Sequence, residues 1–557
     1  MGRREWAVCA IAVVNVLVAS LAPPPATAEP ESANPILRVA TTALPQSVFP
    51  PDRHTAEAHY LSGFIGRSLT IYDKNWAVAC ALCKALPTLD NHGAAIVTRP
   101  DGSMGMDVTF ELDPGLFWDD GTPVTTADVV FSTAVAQKFS NGESLLSDII
   151  DTVPQGDHRV TFRLKKVRFD YNRFEELFLL PAHLEKDIFE ASATPQEYRA
   201  RSHYTTDPTA PGLADGPFKL SRKMPDEMLL TKNPYWHGKI PHFDQILLRR
   251  ITDSAALEAD VLAGRIDVVA GELGVDLGAI YRLEAENKNA SYQILYKPTL
   301  DYEHIDFNLS NDLLKDKRIR RAMELSLDRP IEVPGRERRT MGEAPRSFLS
   351  PGSPNFDPTL KPVPYDPARA AALFEEAGFS RGPDGIRVNH AGQRLAFKLS
   401  MELAFDLNRR VAEKLKDEWS NAGVEIALAD GQISEILPKR QFDLASYSWA
   451  NVPEFLIAPV YAKSGIPTAE NGFKGDNFPG FDNAEMNEVA AALTTELDPG
   501  KRLLLWRRAQ QIYAEEVPAI PLSFVPNEFV IPATMTGFEP TGHSIPTSFW
   551  VEDWALR

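Results

Sequence analysis

The sequence predicts an α/β protein built from more than one domain, and three observations carry that prediction. The chain has 557 residues, more than one core ordinarily serves. The stretch "FDQILLRRITDSAALEADVLAGRIDVVAG" (243–271) reads as strand, helix and strand, the signature of a βαβ unit. Elsewhere period-two strands alternate with segments whose apolar residues recur at helical spacing.

The elements follow in order. "ILRVATTALPQSVFP" opens as a strand and ends in a Pro-rich turn, and "HYLSGFIGRSL" reads as a helix. Val108, Phe110 and Leu112 alternate as on a strand with one wet face. After the turn "DDGTP", Thr125 and Asp128 offer a capping box for a helix whose apolar side holds Val129, Val130, Ala134 and Val135. Val160, Phe162 and Leu164 alternate again, and "DGPFKLSRK" with "EMLLTKNPYW" reads as two strands and a turn. In the βαβ unit Ser254 is the expected helix cap and Gly264 the expected stop.

"YEHIDFNLSNDLLKDKRIRRAMELSLDR" (302–329) reads as a strand and then a helix. Ile305 and Phe307 face one way, Asp306 and Asn308 the other, and Asp316 is the expected cap. Arg318, Arg320, Arg321 and Arg329 surround the helix as a solvated basic rim, or one or two of them meet an anionic ligand group. Further helices are expected at "DPARAAALFEEAGF" and "FDLNRRVAEKLKDEWSNAG", then strands at "VEIALAD" and "FDLASYSW". A helix and strand follow in "KRLLLWRRAQQIYAEEVPAIPLSF", and an aromatic tail closes the chain.

Composition narrows the partners. Lys plus Arg number 58 against 76 Asp plus Glu, a formal net charge of -18, which argues against nucleic acid. Residues 1–28 read as an export signal: Arg3 and Arg4, an apolar run from Trp6 to Leu21, and a small-x-small site at Ala26-Thr27-Ala28. Cleavage is expected near Ala28, leaving a soluble periplasmic or secreted protein. Cys9 lies inside the apolar run, so the mature chain keeps only Cys80 and Cys83, in "ACALCK". A CxxC pair serves as a redox dithiol, half a metal site or a local disulfide, and export favours oxidation.

Catalytic signals are missing. There is no P-loop, HExxH, glycine-rich dinucleotide turn or G-x-S-x-G. The eleven histidines are scattered, and the adjacent pairs Asp119–Asp120 and Glu175–Glu176 read as solvated carboxylates. No enzyme activity, catalytic residue, metal or cofactor is expected. An exported hydrolase, whose carboxylates or serine only the fold would assemble, is the alternative of another class. A peptide-binding chaperone or sensor is a third. The strand ending in Tyr447, Ser448, Trp449, Asn451 and Glu454 carries a polar-aromatic cluster where α/β strands face ligand crevices.

Eight segments, in order, resemble the extracellular solute-binding proteins of family 5, the peptide- and nickel-binding group that serves ABC importers. "FWDDGTPVTTADVVFS" resembles the family's F-x-DG-x-x-x-x-A-x-DV-x-F-S signature. "LLTKNPYW", "ALEADVLAGRIDVV", "IDFNLSNDLLKDKRIRRAMELSLDR", "AAALFEEAGF", "FDLASYSWAN", "GFDNAEMN" and "VPAIPLSF" follow between Phe117 and Phe524, and the resemblance extends over about residues 36–554.

The resemblance implies a two-lobed clamshell of mixed sheets, type II-like (cluster C), with an extra inserted subdomain. The expected division after the signal is a first lobe of residues 29–80, 210–299 and 517–557, an inserted subdomain of 81–209, and a second lobe of 300–516. It implies a monomer that closes on a peptide, with an oligopeptide the first expectation, and hands it unchanged to a membrane permease and its ATPase. Expected ligand contacts are Tyr447, Trp449, Asn451 and Glu454, with Arg320 and Arg329 for an anionic end. One departure stands out: where the family's peptide binders carry an aspartate for the free amine, this chain has Asn451, which supplies no charge. Glu454 is the expected substitute; otherwise the ligand is a non-peptide solute such as an opine, oligosaccharide or metallophore. Cys80 and Cys83 lie outside the family signature, near the start of the inserted subdomain.

Overall fold

The computed structural model of the protein describes residues 36–53, 55–139, 144–274, 277–287, 290–329, 346–450 and 457–557. The signal segment 1–28, Asn451 and Glu454 lie outside the described residues. Among the described residues, no helix is long and apolar enough to cross a membrane.

One ten-stranded sheet organises the molecule. Its strands are β1 (Ile36–Thr41), β2 (Phe218–Lys223), β3 (Glu227–Lys232), β4 (Gln245–Arg250), β5 (Val268–Val269), β6 (Tyr292–Phe307), β7 (Ala396–Met401), β8 (Glu425–Asp430), β9 (Leu444–Ala450) and β10 (Ala519–Pro532). Their spatial order is β8-β7-β9-β6-β10-β5-β1-β4-β3-β2. The sheet is mixed: β1 runs parallel to β4 and β5, and β7 parallel to β8 and β9, whereas β6 is antiparallel to both its neighbours.

The two longest strands, β6 and β10, join the two ends of this sheet. Tyr292–Pro298 of β6 pair with Pro532–Pro526 of β10, and Tyr302–Asp306 pair with Phe524–Ala519. Between these halves the register slips, next to the pair Pro298↔Pro526. Two facing prolines contribute no N–H to the ladder, so the sheet is weakest in cross-strand bonds at this crossing. Gly542 packs on the crossing with φ +79°, and a Cβ there would stand 2.3 Å from the Pro298 carbonyl oxygen.

Separate cores flank the crossing. Leu37, Val39, Leu248, Val268, Phe529, Ile531 and Trp554 gather in one. Ile305, Phe307, Leu399, Trp419, Leu444 and Ile520 gather in another. A third core belongs to a four-stranded antiparallel sheet, in the order Ala94–Thr98, Met104–Glu111, Arg159–Leu164 and Ile149–Pro154. Val108, Phe110, Leu112, Val160, Phe162 and Leu164 are all fully buried in it, as their alternation predicts. Burying one such side chain stabilises the fold by about 1.5–3 kcal/mol.

Local signals mostly act as read. The Asp128 carboxylate accepts the Thr125 N–H at 2.8 Å at the start of helix Thr126–Phe139. The βαβ helix, α1 (Ser254–Leu262), is capped one residue earlier than expected: Asp253 accepts the Ala256 N–H at 2.7 Å. A carboxylate one residue upstream reaches that amide, leaving Ser254 inside the first turn. Asp316 caps α2 (Lys317–Leu325) by accepting the Arg318 N–H at 2.9 Å. The polar face of β6 is buried as well. Asp306 and Asn308 are buried, because β6 lies between β9 and β10 with side chains packed over both of its faces. The Asn308 amide donates to the carbonyls of Arg440 and Phe442 at 2.9 and 2.7 Å.

The second half of the chain adds α3 (Asp406–Ala422), α4 (Ala484–Thr495) and α5 (Pro499–Glu516) around β6–β9. Cys80 and Cys83 form a disulfide with Cα atoms 5.1 Å apart, at the end of a short hairpin of Thr70–Tyr72 and Val78–Cys80.

Candidate ligand-binding cleft

The second half of β6 and the whole of β9 build the site. Their register sets Tyr302 opposite Trp449, His304 opposite Tyr447 and Asp306 opposite Ala445. Side chains alternate along a strand, so Tyr302, His304 and Asp306 share one sheet face with Tyr447 and Trp449. Glu303, Ser446 and Ser448 belong to the other face. On its far side β9 pairs with β7 only through Leu399↔Leu444 and Ser400↔Ala445, and β7 ends at Met401. Among the described residues, Ser446–Trp449 therefore have no strand partner on that side. An unpaired edge presents main-chain N–H and C=O groups to whatever lies alongside.

What lies alongside is a pocket of about 550 Å³, bordered by Glu303, Glu402, Phe405, Asn408, Tyr447, Trp449, Phe478 and Leu522. It sits at the carboxyl ends of the parallel strands β7 and β9, where α/β sheets place their ligand crevices. Its volume is within the range of pockets that enclose a whole small ligand. Tyr447 and Trp449 also border a second cavity of about 10 Å³, with Tyr302, His304, Asp306, Phe348, Tyr461 and Asp476. That is room for one water-sized group.

Stacked and edge-on rings fix these side chains. Tyr302 and His304 stack with centroids 4.4 Å apart at 7°. His304 meets Tyr447 edge-on at 4.4 Å, and Phe478 meets both Tyr447 and Trp449 edge-on at 6.4 and 6.0 Å. The Tyr302 and Tyr513 hydroxyls bond to each other. Tyr447 donates its hydroxyl proton to Asp306 Oδ2 at 2.6 Å. Burial, and then the Asp306 charge, push the Tyr447 phenol well above its ordinary range, so it stays a neutral donor.

His304 completes the set. Its Nδ1 is 3.1 Å from the Tyr302 carbonyl oxygen, which can only accept, so Nδ1 carries a hydrogen. Nε2 then faces Asp306 Oδ1 at 3.4 Å. Asp476 is half-buried, and burial raises its pKa above the usual carboxylate value. Among the described residues it has no side-chain hydrogen bond or ion pair.

Of the residues singled out from sequence, Tyr447 and Trp449 border both cavities. Arg320 and Arg329 border neither. Arg320 is buried and donates to the carbonyls of Leu314, Lys315, Glu516 and Val517 at 2.6, 3.0, 2.5 and 2.9 Å. Val517 is left-handed at φ +51°, so Arg320 clamps the strained end of α5. Burial lowers the Arg320 pKa to about 10. Arg329 donates to the carbonyls of Pro521 and Val363 at 2.8 and 3.3 Å and lies 3.9 Å from Glu324. The main-chain bonds give both arginines a structural placement. Sequence reasoning missed His304, Asp306, Tyr461 and Asp476 as site residues. The alternation of Tyr302, His304 and Asp306 on one strand face was the available signal. Among the described residues no group of three or more His, Cys, Asp or Glu is placed to hold a metal ion.

Comparison with known proteins places this geometry. The family model described as bacterial extracellular solute-binding proteins, family 5 Middle, matches residues 103–465. The chain is 25% identical over 512 residues to the oligopeptide-binding protein OppA of Mycobacterium tuberculosis, covering 84% of this chain and 80% of that protein. It is 24% identical over 480 residues to the oligopeptide-binding protein AppA of Bacillus subtilis, covering 83% of each. Among solved structures, Bacillus subtilis AppA in complex with a nonapeptide superposes with a TM-score of 0.66 at 22% identity, covering 94% of this chain and 99% of that one. NikA from Brucella suis in complex with Fe(III)-EDTA superposes with a TM-score of 0.73 at 18% identity, covering 94% and 100%. The two-domain periplasmic binding-protein fold is common to them. With the family model covering well over half of its length, the chain belongs to the bacterial extracellular solute-binding proteins of family 5.

Proposed function

We propose that the protein is the periplasmic substrate-binding component of an ABC importer, which captures an oligopeptide between two lobes and delivers it unchanged to the permease and its ATPase. The observation that carries this reading is the open edge of β9 beside the 550 Å³ pocket. A peptide in extended form would add to Ser446–Trp449 as a strand, pairing through main chain and leaving its side chains to looser pockets. Trp449 and Tyr447 would supply apolar area, and Glu303, Glu402 and Asn408 would supply polar direction. The peptide named with the Bacillus subtilis relative supports the same ligand class.

The lobes would move about the crossing at Pro298 and Pro526, with residues 300–516 forming most of the second lobe. A ligand that touches both lobes shifts the population toward the closed form. Binding followed by release needs no bond to break, so the protein acts without turnover. It would act as a monomer, after removal of the segment up to Ala28.

A second reading keeps the mechanism and changes the cargo. Asn451 replaces the aspartate that family peptide binders use for the free amine, which favours a solute without one, such as an opine, oligosaccharide or metallophore. Mass spectrometry of small molecules freed by denaturing the freshly purified protein separates the two. A ladder of peptide masses supports the first reading, and a single non-peptide mass supports the second.

A further inference from the structure

The small cavity beside the cleft has a chemistry of its own. Its rings, Tyr302, Phe348, Trp449 and Tyr461, come from four different segments of the chain. Two carboxylates, Asp306 and Asp476, border the same space. Asp306 is already answered: Tyr447 donates to one oxygen at 2.6 Å, and His304 faces the other at 3.4 Å. Asp476 is not answered by any described residue. The cavity therefore holds one carboxylate in excess of its described partners, inside aromatic walls.

Ring faces carry negative potential and attract a cation, and a half-buried carboxylate without a partner does so more strongly. The space, about 10 Å³, admits one water-sized group, which a primary ammonium matches and a planar guanidinium exceeds. Tyr447 and Trp449 border both this cavity and the cleft, so the two spaces share an aromatic wall, and an arm from a chain in the cleft would have to be thin and unbranched to pass it.

We infer that this cavity is a subsite for a primary ammonium on an unbranched aliphatic arm, which makes the preferred cargo a peptide with a lysine-like side chain. The inference rests on the peptide-binding reading above and gives it a substrate class. The cavity sorts cargo by charge and width: lysine enters, norleucine brings no charge, arginine is too broad, and glutamate is repelled.

The test is isothermal titration of the purified mature protein with tripeptides carrying lysine, norleucine, arginine or glutamate at each position in turn. The wild type is expected to bind the best lysine peptide about thirtyfold more tightly than its norleucine counterpart. In Asp476→Asn that ratio is expected to fall below about threefold, through a loss of affinity for the lysine peptide. Asp476→Glu, which keeps the charge, is expected to retain the preference. Equal wild-type affinity for lysine and norleucine peptides at every position overturns the ammonium subsite and leaves peptide binding standing. Binding of no peptide in the set overturns the peptide reading and, with it, this inference.

Discussion

The guanidinium carbon of Arg502 lies 3.7 Å from the centroid of the Phe169 ring. Arg502 belongs to α5, whose Trp506, Ile512 and Tyr513 pack in a core with Tyr302, Tyr461 and Phe524, and Phe169 follows the four-stranded sheet, so one cation–π contact joins two parts that the chain builds separately. Leu497, just before α5, packs against the inserted sheet's core at the same place. Arg502 is held for this contact by donating to the Leu493 and Glu496 carbonyls at 2.6 and 3.2 Å, at the end of α4.

If the lobes close about Pro298 and Pro526, this contact favours the closed state. A half-buried cation–π pair contributes about 1 kcal/mol. Phe169→Ala is then expected to weaken ligand binding about fivefold and to raise the radius of gyration of the ligand-free protein in small-angle scattering. Unchanged affinity and radius would remove the contact from the account of closure.

Trp449 and Tyr447 separate by role. Trp449→Ala removes ring area from both cavities and is expected to cost about 2–3 kcal/mol of ligand binding, read by titration calorimetry. Tyr447→Phe keeps the ring but leaves Asp306 Oδ2 without its donor. Its expected effect is on folding, a loss of about 1–3 kcal/mol in urea unfolding.

Arg320 distinguishes a structural guanidinium from a ligand-binding one. Arg320→Ala leaves four main-chain carbonyls without their donor, two of them at the strained end of α5. A loss of about 3 kcal/mol in unfolding free energy is expected, with ligand affinity per folded molecule unchanged.

Two carboxylates, Asp215 buried and Glu272 half-buried, make stability depend on pH. Burial raises Asp215 to about 7 against its Arg67 amide bond, and raises Glu272 to about 7 against its bonds from Thr547. Both values lie above those of the unfolded chain, so the folded state holds protons that the unfolded state has released. Their stabilising effect is complete below about pH 4 and is lost as pH rises from there through about 7. Asp215 accepts the Arg67 N–H through Oδ1 at 3.0 Å, a bond that an amide oxygen also makes. Asp215→Asn is therefore expected to raise the melting temperature more at pH 8 than at pH 5. An equal shift at both pH values would mean that Asp215 stays ionised throughout.

Much of the fold was legible because local signals agreed with the tertiary outcome. The alternation at Val108–Leu112 and Val160–Leu164, the glycine after α1 and the cap at Asp316 all mark what they normally mark. The burial of Asp306 was not legible, for a definite cause. Alternation says which residues share a face, but only the neighbours in space decide whether that face is wet, and β9 and β10 arrive from about 140 and 210 residues away. Asp476 escaped notice for the same reason, since the cavity that gives it meaning is assembled from segments distant in sequence. The arginines around α2 misled because charge pattern alone does not distinguish a solvated rim from a guanidinium sunk onto carbonyls. The position of Tyr447 and Trp449 beside a cavity was legible because they end a strand whose partner stops short, and strand ends in such sheets face crevices.

The central claim is that a ligand is gripped and released unaltered, and one measurement tests it most directly. The purified protein is incubated with a defined peptide mixture, separated from free peptide, unfolded, and its released contents weighed by mass spectrometry. The account predicts about one equivalent of intact peptide per chain, with no cleavage products at any incubation time. Recovery of peptide fragments that accumulate with time, or of no peptide at all, would contradict it.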